Sequence, residues 1–310
     1  MKHKLSCSIA MTTFNGSNYI LDQLESIVHQ TRTPEEIVIV DDCSKDNTFE
    51  LVKSFANSHK DIRFILKKNE KNIGFNGNFM QAVEHSNSDV IFFSDQDDVW
   101  QENKIECMME LLEENDCIKA LKCSKIDFNS NENLSNIRSN MKSLKDVEAK
   151  RVSLVSVLKL FNCPGLTLAI RRASYLKIKD YVVANGNGYD VIAGLYFSAH
   201  DSLYSIDYPF VYHRIHSTNT TGKPQKRTKE FALKSLNRKV QWLKSSIELC
   251  EGDCKNKYFR LIKKTYNYYS KILECYYNNK KIKLLLNCLL PNKNVRYIYA
   301  LSNAYFLLFR

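Results

Sequence analysis

Residues Val90–Trp100 read VIFFSDQDDVW: five apolar or small residues running into Asp95, Asp97 and Asp98 within four positions. A short apolar run bounded by polar residues is the pattern of a strand buried in an α/β sheet. Carboxylates at its C-terminal end lie where open α/β sheets take their ligands. Three such charges at the rim of a core repel one another unless a cation sits among them. A hard divalent cation that takes one or two carboxylates plus phosphate oxygens answers that need. A lone D-x-D also fits a solvated acidic loop, so the neighbouring segments decide.

Working outward, Lys4–Met11, Glu36–Val40 and Arg63–Leu66 are three further apolar strands. Helices are expected after Ser17 to about Gln30, after Asp46 or Asn47, from Phe79 onward, and over Asn103–Asn115. Strands alternating with helices in this way give βαβ units and a mostly parallel sheet. The polar clusters Thr12–Asn15, Asp41–Ser44, Asn72–Asn78 and Asp95–Asp98 each follow a strand, so all of them gather on one sheet edge. No G-x-G-x-x-G follows the first strand and no G-x-x-x-x-G-K-[ST] occurs, which disfavours a dinucleotide fold and a P-loop. Beyond Asp127–Lys150, a polar surface segment, the pattern gives a helix over Arg151–Phe161 and a strand over Leu166–Ile170. A helix from Tyr189 to about Ala199 and strands at Leu203–Ile206 and Pro209–His213 complete this half.

The 310 residues are 44% hydrophobic and 25% charged, an ordinary globular balance. Ten cysteines lie scattered, and Cys250-x3-Cys254 fits neither a redox motif nor a zinc site. Reduced thiols in a cytosolic chain are expected. No apolar stretch of signal-peptide length opens the sequence, and none is long enough to span a membrane. The net charge of +11 is uneven: residues 223–310 hold 20 Lys/Arg against 5 Asp/Glu, a surplus of +15, which leaves −4 for residues 1–222. An anionic body with a basic appendage suggests a partner with an anionic surface.

The motifs resemble those of the family 2 glycosyltransferases, in particular the rhamnosyltransferase-like branch. Thr12–Gly16 matches its T-[TS]-[YF]-N-G opening, Val40–Ser44 its V-D-D-x-S strand end, Asn72–Gly74 its N-x-G turn, and Ser94–Trp100 its S-D-Q-D-D-x-W. Gly165-Leu166-Thr167 is similar to its G-x-T strand. Asp190 falls at its H-D-W position, while Pro209, Arg214 and His216 fall on P…Y-R-x-H, continued by Asn219 and Gly222. The resemblance covers about residues 5–222. Tyr189, Val191 and Ile192 depart from it, standing where the family has His and tryptophans on the acceptor side.

What the resemblance implies is a glycosyltransferase-A fold over residues 1–222, with a nucleotide-sugar half (1–100), an acceptor half (101–222) and a helical basic tail (223–310). It implies an inverting hexosyl- or deoxyhexosyltransferase that uses a UDP- or dTDP-sugar, Mg2+ or Mn2+, and a surface-glycan or lipid-linked acceptor. Asp97, Asp95 and His216 are the implied metal residues, with Asp98 as a second ligand or an orienter of the loop. Thr12, Thr13, Phe14, Asn15, Asp41, Asp42, Gly74, Asn78, Asp95 and Arg214 border the donor, Phe14 by stacking on the base. Trp100 is a packing residue. Inversion by single displacement needs one general base, and Asp190 is the candidate. The rival pair His200-Asp201 is set aside because only Asp190 keeps the family's distance of 19 residues to Pro209.

The tail, with Trp242, several tyrosines and the apolar runs of residues 282–290 and 297–309, suits an anionic membrane surface at the inner face of the plasma membrane. Packing on the body or homodimerisation are its alternatives, and nucleic-acid binding lacks any accompanying motif. A nucleotidyltransferase would want a basic glycine-rich loop after the first strand, which Thr12–Gly16 lacks. A non-catalytic sugar-nucleotide-binding or scaffold protein is the other competing class.

Overall fold

The computed structural model describes residues 4–130, 147–184, 188–217, 219, 228–278, 280, 284 and 287. The sequence motif at Gly222 and the apolar runs of residues 282–290 and 297–309 lie mostly or wholly outside them. The chain forms two compact units. One comprises Met1–Arg151, Pro164–Lys177 and Tyr204–Lys223; the other comprises Val152–Cys163, Ile178–Leu203 and Pro224–Arg310.

The first unit is built on a mixed sheet. Its parallel half contains β1 (Cys7–Thr13), β2 (Glu36–Asp41), β3 (Arg63–Lys68) and β4 (Val90–Ser94) in the order β3-β2-β1-β4. β1, β2 and β4 are buried nearly throughout, as parallel strands covered on both faces must be. The helices α1 (Ile20–Val28), α2 (Thr48–Ser58), α3 (Gly74–His85) and α4 (Lys104–Glu114) accompany these strands. The sheet continues from β4 through β8 (Leu168–Arg171), β6 (Ala120–Asn129) and β9 (Leu203–Ile215) to β5 (Val99–Trp100), with β7 (Ala149–Arg151) also on β9. The pairs β4–β8, β6–β8, β5–β9 and β7–β9 are antiparallel. One apolar core joins Ile9, Ile37, Phe92, Trp100, Met108, Ala169 and Phe210.

Register carries the chemistry to one place. Thr13 pairs with Asp41 and Met11 with Ser94, so β1 and β2 end level with one another and β4 ends two residues short of them. The polar residues that follow each strand therefore share the C-terminal edge of the sheet.

Several boundaries differ from the sequence expectation. Ser17 does not cap the first helix, because its amide donates to Asp46 (3.1 Å) and residues 17–19 form a turn first. The helix expected from Phe79 begins at Gly74, whose φ of +81° makes the entry bend that glycine adopts freely. Gly165–Thr167 is a 3-10 turn rather than strand. Strand β6 runs to Asn129 into the stretch expected to be irregular. The two strands expected at Leu203–Ile206 and Pro209–His213 are one, since Pro209 interrupts the propensity without ending the ladder.

The second unit is helical among its described residues: α5 (Leu154–Leu160), α7 (Lys179–Ala184), α8 (Tyr189–Ala199), α9 (Lys229–Cys250) and α10 (Asn256–Tyr277); the short α6 (Arg172–Tyr175) belongs to the first unit. α5 spans less than the expected Arg151–Phe161, because Ser153 caps it by accepting from Ser156 N and Phe161 ends it with φ +47°. Helix α8 is buried on nearly every side. A Cβ on Gly194 would lie 2.9 Å from Cys163 Cβ, so only glycine permits that approach. Helices α9 and α10 follow one another through a short connection and pack together. Phe161 stacks on Trp242 (5.9 Å) and meets Tyr269 edge-on. The tail helices thus share a core with residues from the middle of the chain. No helix among the described residues is long and apolar enough to cross a membrane. The nine cysteines among them are free thiols.

Candidate active site

The first cluster ties the ends of β1 and β2. Asp41 accepts from Thr13 Oγ1 (2.9 Å), Ser44 N (2.9 Å) and Ser44 Oγ (2.5 Å). Asp42 accepts from Asn69 Nδ2 (3.0 Å), Ile73 N (2.8 Å) and Gly74 N (2.9 Å), which fastens the first turn of α3 to the sheet. Asn78 donates to Val40 O (2.6 Å) and accepts from Asn69 (2.9 Å). Each of these three expected donor-site residues is buried and bonded within the protein. Between Asp42 and Ser44, Cys43 is held at φ +65°, an uncommon conformation for a side-chain-bearing residue, kept in place by the flanking carboxylates.

A second set holds the loop after β1. Asn15, at φ +49°, donates its amide to Ser44 Oγ (2.9 Å) and accepts from Lys45 N (2.8 Å). Gln96, in the acidic loop, accepts from Phe14 N (2.8 Å) and donates to Phe14 O (3.0 Å). That clasp leaves Phe14 44% exposed at the strand tips, while Thr12 is half-buried at the end of β1. Gly16 lies under the clasp: a Cβ there would meet Gln96 Oε1 at 2.2 Å. Gly16→Ala is therefore expected to expel the Gln96 amide and cost about 1–2 kcal/mol for two lost hydrogen bonds. A lowered melting temperature checks this; an unchanged one would show that Gln96 swings aside freely.

The acidic loop after β4 is fixed from α1 and β9. Arg214 donates Nε to Asp97 O (3.0 Å), its amide to Asp98 Oδ1 (3.3 Å), and Nη2 to Asp22 Oδ2 (2.7 Å). Its guanidinium lies between the rings of Tyr19 (5.0 Å) and Phe128 (4.9 Å). His216 Nε2 is 2.9 Å from Asp97 Oδ2, and its ring lies 4.5 Å from that of Tyr19. Asn219 accepts from His216 N and donates to Arg214 O, which sets the turn that aims His216 at Asp97. Asp98 is fully buried and its Oδ2 has no hydrogen-bond partner among the described residues. Burial, then the charges of Asp97 and Asp95, push its carboxyl well above the usual range. Beside it Lys104 is buried, donates to Leu166 O (3.0 Å) and sits 3.3 Å over the Trp100 ring; burial draws its ammonium down to about 8. Trp100 is 1% exposed, a packing residue as expected.

The donor set suits a divalent cation. Asp97 Oδ2 and His216 Nε2 converge at hydrogen-bond distance, offering one carboxylate oxygen and one imidazole nitrogen. No group of three or more His, Cys, Asp or Glu ligands occurs among the described residues. A cation held by this pair would complete its shell with phosphate oxygens and water, as Mg2+ and Mn2+ sites at phosphates do. Asp95 is half-buried in the same loop, where Ser94 Oγ donates to its carbonyl (2.9 Å).

Asp190 belongs to the second unit, in the first turn of α8, half-buried and accepting from Val191 N (2.8 Å). Tyr189, Val191 and Ile192 are buried around it. The rival Asp201 is bound to Lys255 Nζ (2.6 Å) and Tyr258 OH (2.7 Å), and so anchors the start of α10. The sequence reading missed Tyr19, Asp22 and Gln96. Tyr19 and Asp22 are spaced i, i+3 at the start of α1, a signal available in the sequence but unreadable without knowing that β9 passes there.

The fold is that of a glycosyltransferase, and the chain belongs to glycosyl transferase family 2, whose model matches residues 8–177. It is 31% identical over 222 residues to the dTDP-rhamnosyl transferase RfbG of Shigella flexneri, covering 68% of this chain and 73% of that one. Among solved structures it is similar to S. aureus TarS 1-349 in complex with UDP-GlcNAc, with a TM-score of 0.63 at 16% identity over 98% of this chain and 89% of that one. The mannosyltransferase PcManGT from Pyrobaculum calidifontis, in complex with GDP-Man and Mn2+, aligns with a TM-score of 0.55 at 15% identity over 99% and 88% of the two chains. At those identities the likeness is one of fold, the glycosyltransferase-A architecture with C-terminal helices.

Proposed function

We propose that the protein transfers one hexosyl or deoxyhexosyl unit, with inversion, from a UDP- or dTDP-sugar to a hydroxyl of a surface-glycan or lipid-linked acceptor. The observation that carries the reading is the Asp97–His216 pair held by Arg214 at the tips of the parallel strands. The name of the S. flexneri relative supports a dTDP-deoxyhexose as donor.

In this reading Thr12, Thr13, Phe14 and Asn15 border the nucleotide, with the Phe14 ring stacked on the base. Asp41, Asp42, Gly74 and Asn78 act one step back, since their hydrogen bonds fix the loops that line the donor. Asp97 and His216 would hold Mg2+ or Mn2+, and Asp95 would contact it through water or meet the ribose. Such a cation would supply positive charge to offset what the departing nucleoside diphosphate develops. Arg214 keeps the Asp97 backbone in position, and it reaches a diphosphate by exchanging Asp22 for a phosphate oxygen. Asp190 takes the proton of the acceptor hydroxyl as that oxygen attacks the anomeric carbon. The basic tail keeps the enzyme in the cytoplasm at the inner face of the plasma membrane, where lipid-linked acceptors reside.

Incubation with UDP- and dTDP-sugars in the presence of Mn2+, scored by the nucleoside diphosphate released, tests the donor class. One donor is expected to dominate, and excess EDTA is expected to lower release by about a hundredfold or more. Undiminished release in excess EDTA would remove the metal from the proposal.

A further inference from the structure

Helix α10 has one side committed to the second unit and one side turned to solvent. Ile262, Thr265, Tyr269 and Ile272 are buried, while Lys257, Arg260, Lys263, Lys264 and Lys271 are exposed. At 100° per residue Lys257, Arg260, Lys264 and Lys271 fall within about 60° of arc, a single row on the helix surface. The row extends about 21 Å from Lys257 to Lys271 at 1.5 Å per residue. Five cations share this exposed side with one acid, Glu274. The helix carries them in a fixed frame: Asp201 grips Lys255 and Tyr258 at its start.

The cations repel one another along the helix; Lys257 and Lys263 lie over the rings of Tyr258 (4.7 Å) and Phe259 (4.3 Å), and the transfer chemistry uses none of the five. Charge complementarity names the partner class. A straight, convex, cationic face meets a plane of negative charge along its whole length, as an anionic leaflet provides. Binding of a soluble polyanion is the competing outcome, and the test below separates the two. We infer that the Lys257–Lys271 face of α10 is the surface by which the protein docks on anionic phospholipid. This deepens the membrane reading above by naming the surface, and it stands independently of the transfer chemistry.

The test is co-sedimentation of the full chain with vesicles of phosphatidylcholine alone or with phosphatidylglycerol added. The wild-type protein is expected on the anionic vesicles only, and to leave them as salt rises. The variant Arg260→Gln/Lys264→Gln/Lys271→Gln is expected to bind about a hundredfold more weakly, roughly fivefold per cation removed. A variant of equal charge change in the first unit, Lys53→Gln/Lys60→Gln/Lys67→Gln, keeps wild-type binding. Equal losses in both variants, salt-insensitive binding to neutral vesicles, or binding to soluble polyphosphate without binding to vesicles would each overturn the inference. Nucleotide titration of the α10 variant at wild-type affinity separates a failed surface from unfolding or a failed glycosyltransferase reading.

Discussion

Asp97→Asn is expected to reduce sugar transfer by two to four orders of magnitude. Stabilising the leaving diphosphate with a cation supplies several kcal/mol, and each 1.36 kcal/mol is tenfold in rate. Asparagine keeps the shape and can still accept from His216, so the loop is expected to stay folded. What it loses is the charge that a divalent cation requires. Two measurements check this: turnover at saturating donor, and Mn2+ affinity by calorimetry, which is expected to fall in parallel. Wild-type values of both would show that the Asp97–His216 contact (2.9 Å) is only a structural bond.

Asp190→Asn is expected to lower turnover by about two to four orders of magnitude, the usual contribution of a positioned base. Donor affinity should stay unchanged, because this residue is assigned to the acceptor hydroxyl. The amide can still accept from Val191 N, the bond that the carboxylate makes at the start of α8, so helix stability is a poor explanation for any loss. Transfer at the wild-type rate would sink the assignment and point to another carboxylate. Asp201 is a weak replacement, since Lys255 and Tyr258 occupy it.

Agreement between sequence and structure is best where burial is complete. Val90–Ser94 is the strand the sequence draws, because five consecutive apolar or small residues fit a strand buried on both faces. The turn glycine of Asn72–Gly74 was legible too, since Gly74 turns with positive φ, whereas the Gln96 amide over Gly16 was not. Legibility failed where a residue's partner is distant. Arg214 reads as a phosphate ligand by residue type, yet its guanidinium bonds with Asp22, 192 positions away. Asp41, Asp42 and Asn78 read as open polar tips, yet they bond with Thr13, Gly74 and Val40.

The same division runs through the whole protein. Apolar periodicity and local turn chemistry depend on residues a few positions apart, so the sequence alone determined the βαβ half of the sheet and the gathering of acidic strand ends on one edge. Which side chains face one another there was decided only by tertiary structure. Register set Thr13 level with Asp41, and the return of β9 brought Arg214 and His216 onto the Asp97 loop. The tertiary fold likewise drew residues 152–163 and 178–203 into one unit with the basic helices. The physical reason is that burial and hydrogen bonding reward closeness in space, and closeness along the chain informs about it only over a helix turn or a strand pair.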